Sequence, residues 1–463
     1  MREKGAKQMR KKLNAREYLA VAIMLFGMFF GAGNLIFPVF MGWQAGRNVW
    51  GAILGFIVTG VGLPLMGVAA IGISRSDGLV ELSGKVSRPY SVFFTCALYL
   101  TIGPCFAIPR CAATPFTVVV SGLMSGVNER LALLIFSAVF FALVLAFSIK
   151  PGKILTYVGK ILTPAFLLFL AVLVVTALVR PAASLSKMEP TEAYRSNQFV
   201  QGFLDGYNTM DALACLAFGI VVVNVIRSLG VGKPEHVAVC TAKAGIFSCL
   251  IMAAIYVAVT LAGAQIAGLG GQCANGGEVL ALIAKHYFGK VGAWLLAATV
   301  TLACLKTSVG LVVSCGETFC AMFPRGPKYR VWAVIFSAAS FLIANLGLNS
   351  IVAYSLPVLM LLYPLAITLI LLGLFGGLFG HDRRVYISVT ACTAVAAIFD
   401  FLKALPEGVR AALHLQPVLD AVNRILPLHD LGVGWLLPAA LGLLIGLALR
   451  WLHIAEPKQT NAA

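Results

Sequence analysis

The run Gly27-Met28-Phe29-Phe30-Gly31-Ala32-Gly33-Asn34-Leu35-Ile36-Phe37-Pro38 lies inside an otherwise apolar stretch at roughly 18–41. A helix that crosses a bilayer needs about 20 mostly apolar residues, and this stretch is long enough. Three glycines and an asparagine in its middle are poor helix formers. Pro38 removes a backbone donor and clashes with the turn before it. Two readings are open. The helix is kinked, with glycines that let a neighbour approach, or the backbone unwinds at Gly31–Asn34. Unwound backbone at that depth survives only where it is buried in protein or lines a cavity.

The rest of the chain supports a membrane setting. Of 463 residues, 60% are hydrophobic and 11% are charged, with a mean hydropathy of +0.93. Soluble domains carry about 25% charged residues. A soluble enzyme and intrinsic disorder are both excluded on that ground. The apolar runs are continuous, which excludes the short alternating segments of a transmembrane β-barrel. The fold class is therefore an all-α polytopic membrane protein. Twelve candidate spans can be read, at roughly 18–41, 49–74, 89–121, 130–149, 152–179, 200–226, 237–268, 292–323, 331–347, 350–374, 385–403 and 431–452. Segment 272–290 reads as a short loop helix, and 405–428 as an amphipathic interfacial helix or folded loop.

The net charge of +17 would suggest nucleic acid in a soluble protein. Here the basic residues gather in short loops, so no nucleic-acid partner is expected. Alternate segments hold 21 Lys and Arg on one side and 10 on the other. This bias places both termini in the cytoplasm. The basic start followed by a full-length span is not a cleavable signal. The eleven cysteines sit mostly in apolar runs without metal spacing, and read as small packing residues.

A second interruption falls in the sixth span: Asp205-Gly206-Tyr207-Asn208-Thr209-Met210-Asp211. Two acids and an asparagine inside a span cost several kcal/mol unless satisfied. The alternative is that the span begins at about Ala212, but residues 212–226 are too few to cross. Breaks in the first and sixth spans imply two five-span units, and five is odd, so the second is inverted. The domains are then a basic tail (1–17), a first unit (18–179), an inverted second unit (200–374), two additional helices (385–452) and a tail (453–463). Matched broken helices of this kind point to the substrate site of a transporter. Exposed amide ends suit a carboxylate and exposed carbonyl ends suit a cation, so a zwitterionic amino acid fits both.

Other polar residues stand within spans. Thr307 and Ser308 are adjacent hydroxyls able to ligate a hard cation, or merely to bond their own helix. Lys306 beside them costs about 2.5–3.5 kcal/mol at mid-helix on insertion scales. It must face a cavity or an acid, with Asp205, Asp211 and Glu317 as candidates. Its ammonium substitutes for a coupling cation, or it snorkels or pairs between helices. Arg110, after Pro104 and Pro109, is a buried clamp or a gate. Glu317 is an inner-gate partner or interfacial. The six histidines form no catalytic or metal set, and no nucleotide or nucleophile motif is present, so no enzyme is expected.

The GAGN run with Ile36-Phe37-Pro38 resembles the bacterial branched-chain amino acid:cation symporter family. Gly42-Trp43-Gln44-Ala45-Gly46, Gly62-Leu63-Pro64, Gly103-Pro104, Ile108-Pro109-Arg110, Thr209-Met210-Asp211-Ala212-Leu213-Ala214 and Leu302-Ala303-Cys304-Leu305 continue the likeness over nearly the whole chain. The resemblance implies a LeuT-like 5+5 inverted repeat with two added helices, in the bacterial cytoplasmic membrane. It implies import of leucine, isoleucine and valine coupled to Na+ or H+, with no other cofactor. Gly31, Ala32, Gly33 and Asn34 would then meet the substrate carboxylate, and Tyr207, Thr209 and Asp211 would line the second break. Thr307 and Ser308, with the carbonyls of Gly27 and Phe30, would match a sodium site. Lys306 departs from the neutral residue expected there, and Asn208 from an apolar one.

Overall fold

A computed structural model of the chain describes residues 12–455, apart from 32, 75, 77, 124–127, 151–154, 270–271, 427 and 430. Ala32, the basic tail to Lys11, Arg75, Lys153 and the last residues from 456 therefore lie outside the described residues.

The first predicted span is two helices, α1 (Ala15–Phe29) and α2 (Gly33–Ala45). Asn14 starts α1 with a capping box: its side chain accepts from Glu17 N at 2.8 Å, and Glu17 accepts from Asn14 N at 2.8 Å. α3 (Val49–Ile57) passes through a π-helical turn, Val58–Gly62, into α4 (Leu63–Ile73), and α5 (Leu79–Gly84) is short. α6 (Arg88–Leu100) leads through the π-helical segment Thr101–Cys105 to α7 (Ala107–Leu123). Gly103 leaves helical geometry there, beside Pro104, as a proline in mid-helix dictates. α8 (Glu129–Ser148) and α9 (Thr163–Val179), the latter preceded by the π-helical Leu155–Leu162, come next.

The short α10 (Glu192–Ser196) leads to α11 (Gln198–Asp205). A 3-10 segment (Gly206–Thr209) separates α11 from α12 (Asp211–Ser228), with Met210 between at φ 63. The sixth span is thus broken within the polar heptad, and does not start afresh beyond it. α13 (Pro234–Ile266) is long and unbroken, while α14 (Gly276–Met322) bends at Gly289, where φ is 56. The short helix expected at 272–290 is the first arm of α14. α15 (Tyr329–Ala344), α16 (Leu348–Phe375), α17 (Arg383–Ala404), α18 (Glu407–Ala412), α19 (Gln416–Ile425) and α20 (Leu436–Ala455) follow. α19 buries Leu419 and Val422 and leaves its other face polar, as an amphipathic segment should.

By length and composition, eight helices among the described residues can cross a membrane, or nine if the bent pair Asp211–Gly219 and Val221–Ser228 is one span. One of the eight runs from Gly33 to Ile71 and so joins parts of two sequence segments. Tyr329–Ala344 and Leu436–Leu452 are shorter apolar helices.

Glycines set how the broken spans pack. A Cβ on Gly42 would lie 2.0 Å from the carbonyl oxygen of Thr260, and one on Gly263 2.1 Å from that of Val39. α2 and α13 therefore touch backbone to backbone. Gly55 and Gly202 do the same for α3 and α11, at 2.0 Å from Phe199 O and 2.1 Å from Ala52 O. Span 1 thus lies on span 7 as span 6 lies on span 2, a shift of five positions in each case. Without a hydrophobic force between helices in lipid, such close van der Waals contact is what holds them.

Candidate functional site

The two breaks meet in the centre of the protein. α1 ends at Phe29, and the amide of Gly31 does not return to the carbonyl of Gly27 as a continued helix would require. It donates instead to Asn34 Oδ1, at 2.8 Å. Asn34, in the first turn of α2, therefore belongs to the helix and not to the unwound segment, which is narrower than Gly31–Asn34. Its amide nitrogen donates to Asp211 Oδ2 at 2.7 Å and to the Tyr256 hydroxyl. Tyr256 in turn donates to the same Asp211 oxygen at 2.6 Å. All three are buried. Asp211 is the first residue of α12, where the positive end of the helix dipole favours a carboxylate. One carboxylate at the second break is thus tied to the first break and to α13.

The freed carbonyls of α1 are satisfied from α14. Lys306 Nζ donates to Gly27 O at 3.0 Å and to Phe30 O. Thr307 Oγ1 donates to the same two oxygens at 3.3 and 3.1 Å. The ammonium also lies 4.5 Å from the ring centre of Phe166, with Phe26 and Phe30 at 5.5 and 5.7 Å. A cation over aromatic faces, at a helix C-terminus, is doubly favoured. This is the place where the family resemblance implied sodium. Gly27, Phe30 and Thr307 do converge there, but around the chain's own ammonium. Ser308 is buried, and its hydroxyl makes no hydrogen bond with the rest. A second monovalent cation 4 Å from the ammonium would meet a repulsion of about 4 kcal/mol at an effective dielectric of 20.

The acids expected to pair with Lys306 are engaged elsewhere. Asp211 serves Asn34 and Tyr256. Asp205 accepts from Tyr194 and, at 3.3 Å, from Gln201. Glu317 accepts from Asn224 at 3.0 Å, in an exposed bond between α14 and α12. Arg110 is buried, with Nη1 donating to Asn208 O at 2.9 Å and its guanidinium 5.3 Å from the Phe37 ring centre. A Cβ on Gly33 would lie 2.8 Å from its Nη2. Arg110 thus bridges the two breaks, with its Nε buried and without a hydrogen bond.

Thr209 Oγ1 donates to Gly206 O at 2.9 Å and accepts from Asp211 N at 3.3 Å. It caps the second break and leaves its hydroxyl little freedom. Tyr207 stacks on Tyr363 at 4.1 Å. A cavity of about 30 Å³ lies between the breaks, reached by Gly31, Gly33, Asn34, Arg110, Thr209, Asp211 and Thr307. Met28, Phe29, Ile102, Phe218 and Leu311 supply its apolar wall. That volume suits one or two waters. No group of three or more His, Cys, Asp or Glu able to hold a metal occurs among the described residues.

Residues 14–453 match the family model described as branched-chain amino acid transport protein. The chain belongs to that family. A branched-chain amino acid permease BrnQ of Lactobacillus delbrueckii subsp. lactis is 51% identical over 93% of this chain and 96% of its own length. BraB of Bacillus subtilis (strain 168), also a branched-chain amino acid permease, is 40% identical over 98% and 99%. Among solved structures, Mhp1, a nucleobase-cation-symport-1 family transporter with bromovinylhydantoin bound, gives a TM-score of 0.59 at 15% identity, covering 95% of this chain and 93% of that one. MhsT in complex with L-phenylalanine gives 0.54 at 16%, covering 96% and 99%. The family consists of membrane transporters, so this multi-pass protein is not an enzyme, and its fold is the LeuT-like one.

Within this family member, sequence reasoning missed Tyr256 and Phe166. Each is one aromatic residue in an apolar run, which reads as packing. The tyrosine hydroxyl inside a span was the only available signal. Phe29 and Phe218 line the cavity and meet edge to face at 5.5 Å. Phe30 instead stacks near Tyr256 and Phe166, and Tyr99 donates to Ala217 O.

Proposed function

We propose that this chain imports leucine, isoleucine and valine by alternating access, coupled to the inward movement of Na+ or H+. It would do so in the bacterial cytoplasmic membrane with both termini inside, built from the units 18–179 and 200–374. The observation that carries this reading is the junction of two broken helices through Asn34, Asp211 and Tyr256 beside an apolar-walled cavity. The backbone of the first break at Gly31 and Gly33, with the Arg110 guanidinium, would receive the substrate carboxylate once the Gly31 amide leaves Asn34. Asp211 would face the ammonium, and Phe29, Ile102, Phe218 and Leu311 the branched side chain. Ala32 and Tyr207 belong to the same proposed site, and Thr209 shapes the second break. The relatives named as branched-chain amino acid permeases support the substrate class.

The cavity is too small for leucine, so binding requires the walls to move apart. A test is accumulation of labelled leucine by the purified protein in proteoliposomes under an imposed cation gradient, with valine and alanine as competitors. Accumulation above the external concentration, blocked by valine and not by alanine, is expected. Mere equilibration would indicate a channel, and blockage by alanine but not valine would indicate a transporter of this fold with another substrate.

A further inference from the structure

We infer that Lys306 is a built-in cation, standing where a sodium ion would otherwise bind, so that transport by this chain is independent of sodium. The inference rests on the transport reading above. Four features carry it. Lys306 is fully buried in α14. Its ammonium donates to Gly27 O and Phe30 O, two carbonyls that the break in α1 leaves without helical donors. Thr307 Oγ1 completes an oxygen cluster around the same point. Phe166, Phe26 and Phe30 close the remaining side with ring faces, which attract a cation but offer it no oxygen.

A hard cation such as sodium asks for an oxygen shell. The carbonyl pair and Thr307 would provide part of one, with Ser308 next in sequence and its hydroxyl uncommitted. In this chain the lysine carries the charge into that cluster covalently. It holds the end of α1 against α14 at every stage in which a bound ion would hold it, without drawing on the sodium gradient. Its stem also fills the space an ion would need. Removing the side chain, conversely, should leave a cluster of oxygens at a helix C-terminus that has lost its positive charge, and sodium should fill it.

Two measurements on the purified full-length protein test this. In the first, proteoliposomes with a fixed proton gradient and membrane potential receive leucine with external sodium chloride or with equimolar potassium chloride. In the second, melting temperature is recorded in detergent against sodium, lithium and potassium chlorides at equal ionic strength. Wild-type uptake should agree within about twofold between sodium and potassium, and wild-type melting should not distinguish the three salts. Lys306→Ala should acquire sodium-specific melting stabilisation and, where it transports, a tenfold or greater stimulation by sodium. Lys306→Gln, which keeps most of the volume, serves if the alanine variant does not fold. A wild-type protein that needs sodium for uptake overturns the inference, as does a folded Lys306 variant with no sodium-specific response. If leucine is not accumulated under any gradient but the melting responses are as expected, Lys306 still stands in the ion's place and it is the transport reading that fails.

Discussion

Replacing Tyr256 by phenylalanine removes one oxygen atom and keeps the ring, so it isolates the bond that orients Asp211. The hydroxyl donates to Asp211 Oδ2 at 2.6 Å and accepts from the Asn34 amide. The ring stacks with Phe30 at 5.8 Å and meets Phe56 edge to face at 5.1 Å, contacts that phenylalanine retains. A hydrogen bond to a charged group contributes about 1.5–3 kcal/mol. Asn34 keeps its own 2.7 Å bond to the carboxylate, so Asp211 is loosened and not orphaned. At about 1.4 kcal/mol per factor of ten, the loss corresponds to a roughly 10- to 150-fold fall in kcat/KM for leucine uptake. The assay is initial-rate uptake in proteoliposomes, normalised to folded protein by size-exclusion profile. Asp211→Asn should lose at least as much, and the double variant little more than the worse single one, because the two groups act through one bond. If Tyr256→Phe transports leucine within twofold of wild type, the junction of the two breaks does not govern the site and the reasoning fails.

Other substitutions probe different parts of the same structure. Gly42→Ala places a methyl group 2.0 Å from Thr260 O, and should destabilise by at least the 1–3 kcal/mol typical of overpacking; loss of monodisperse protein on size exclusion is the expected readout, whereas Gly84→Ala, with nothing within 4 Å, should leave it unchanged. Arg110→Lys keeps the charge but cannot bond Asn208 O and cover Gly33 with one planar fork; leucine uptake should fall at least tenfold in folded protein, measured as above. Glu317→Gln alters an exposed bond to Asn224, so thermal stability should change by no more than about 0.5 kcal/mol, and near-wild-type uptake would confirm that Glu317 is not an inner gate.

The membrane class, the helical content and the two breaks were legible in the chain itself. Continuous apolar runs leave only helices as spanning structures, because bilayers supply no partner for backbone polar groups. The glycine-rich run from 27 and the two acids within 205–211 announced interruptions, which the structure has at Phe30–Gly31 and Gly206–Met210, whereas Asn34 and Pro38 sit inside α2 without breaking it. Local sequence also marked Lys306 and Arg110 as anomalies, because burying a charge is costly wherever the chain goes next.

What these charges bind was decided only by the tertiary structure. Asp205, Asp211 and Glu317 were reasonable partners for Lys306 by charge, yet each is held by residues from its own neighbourhood or from another helix. The ammonium goes instead to Gly27 O, 279 positions away in sequence. Every residue carries a carbonyl, so composition cannot say which one lacks its helical donor. That depends on Gly31 turning its amide to Asn34, and on α14 passing close enough to bring a lysine to the oxygen left behind.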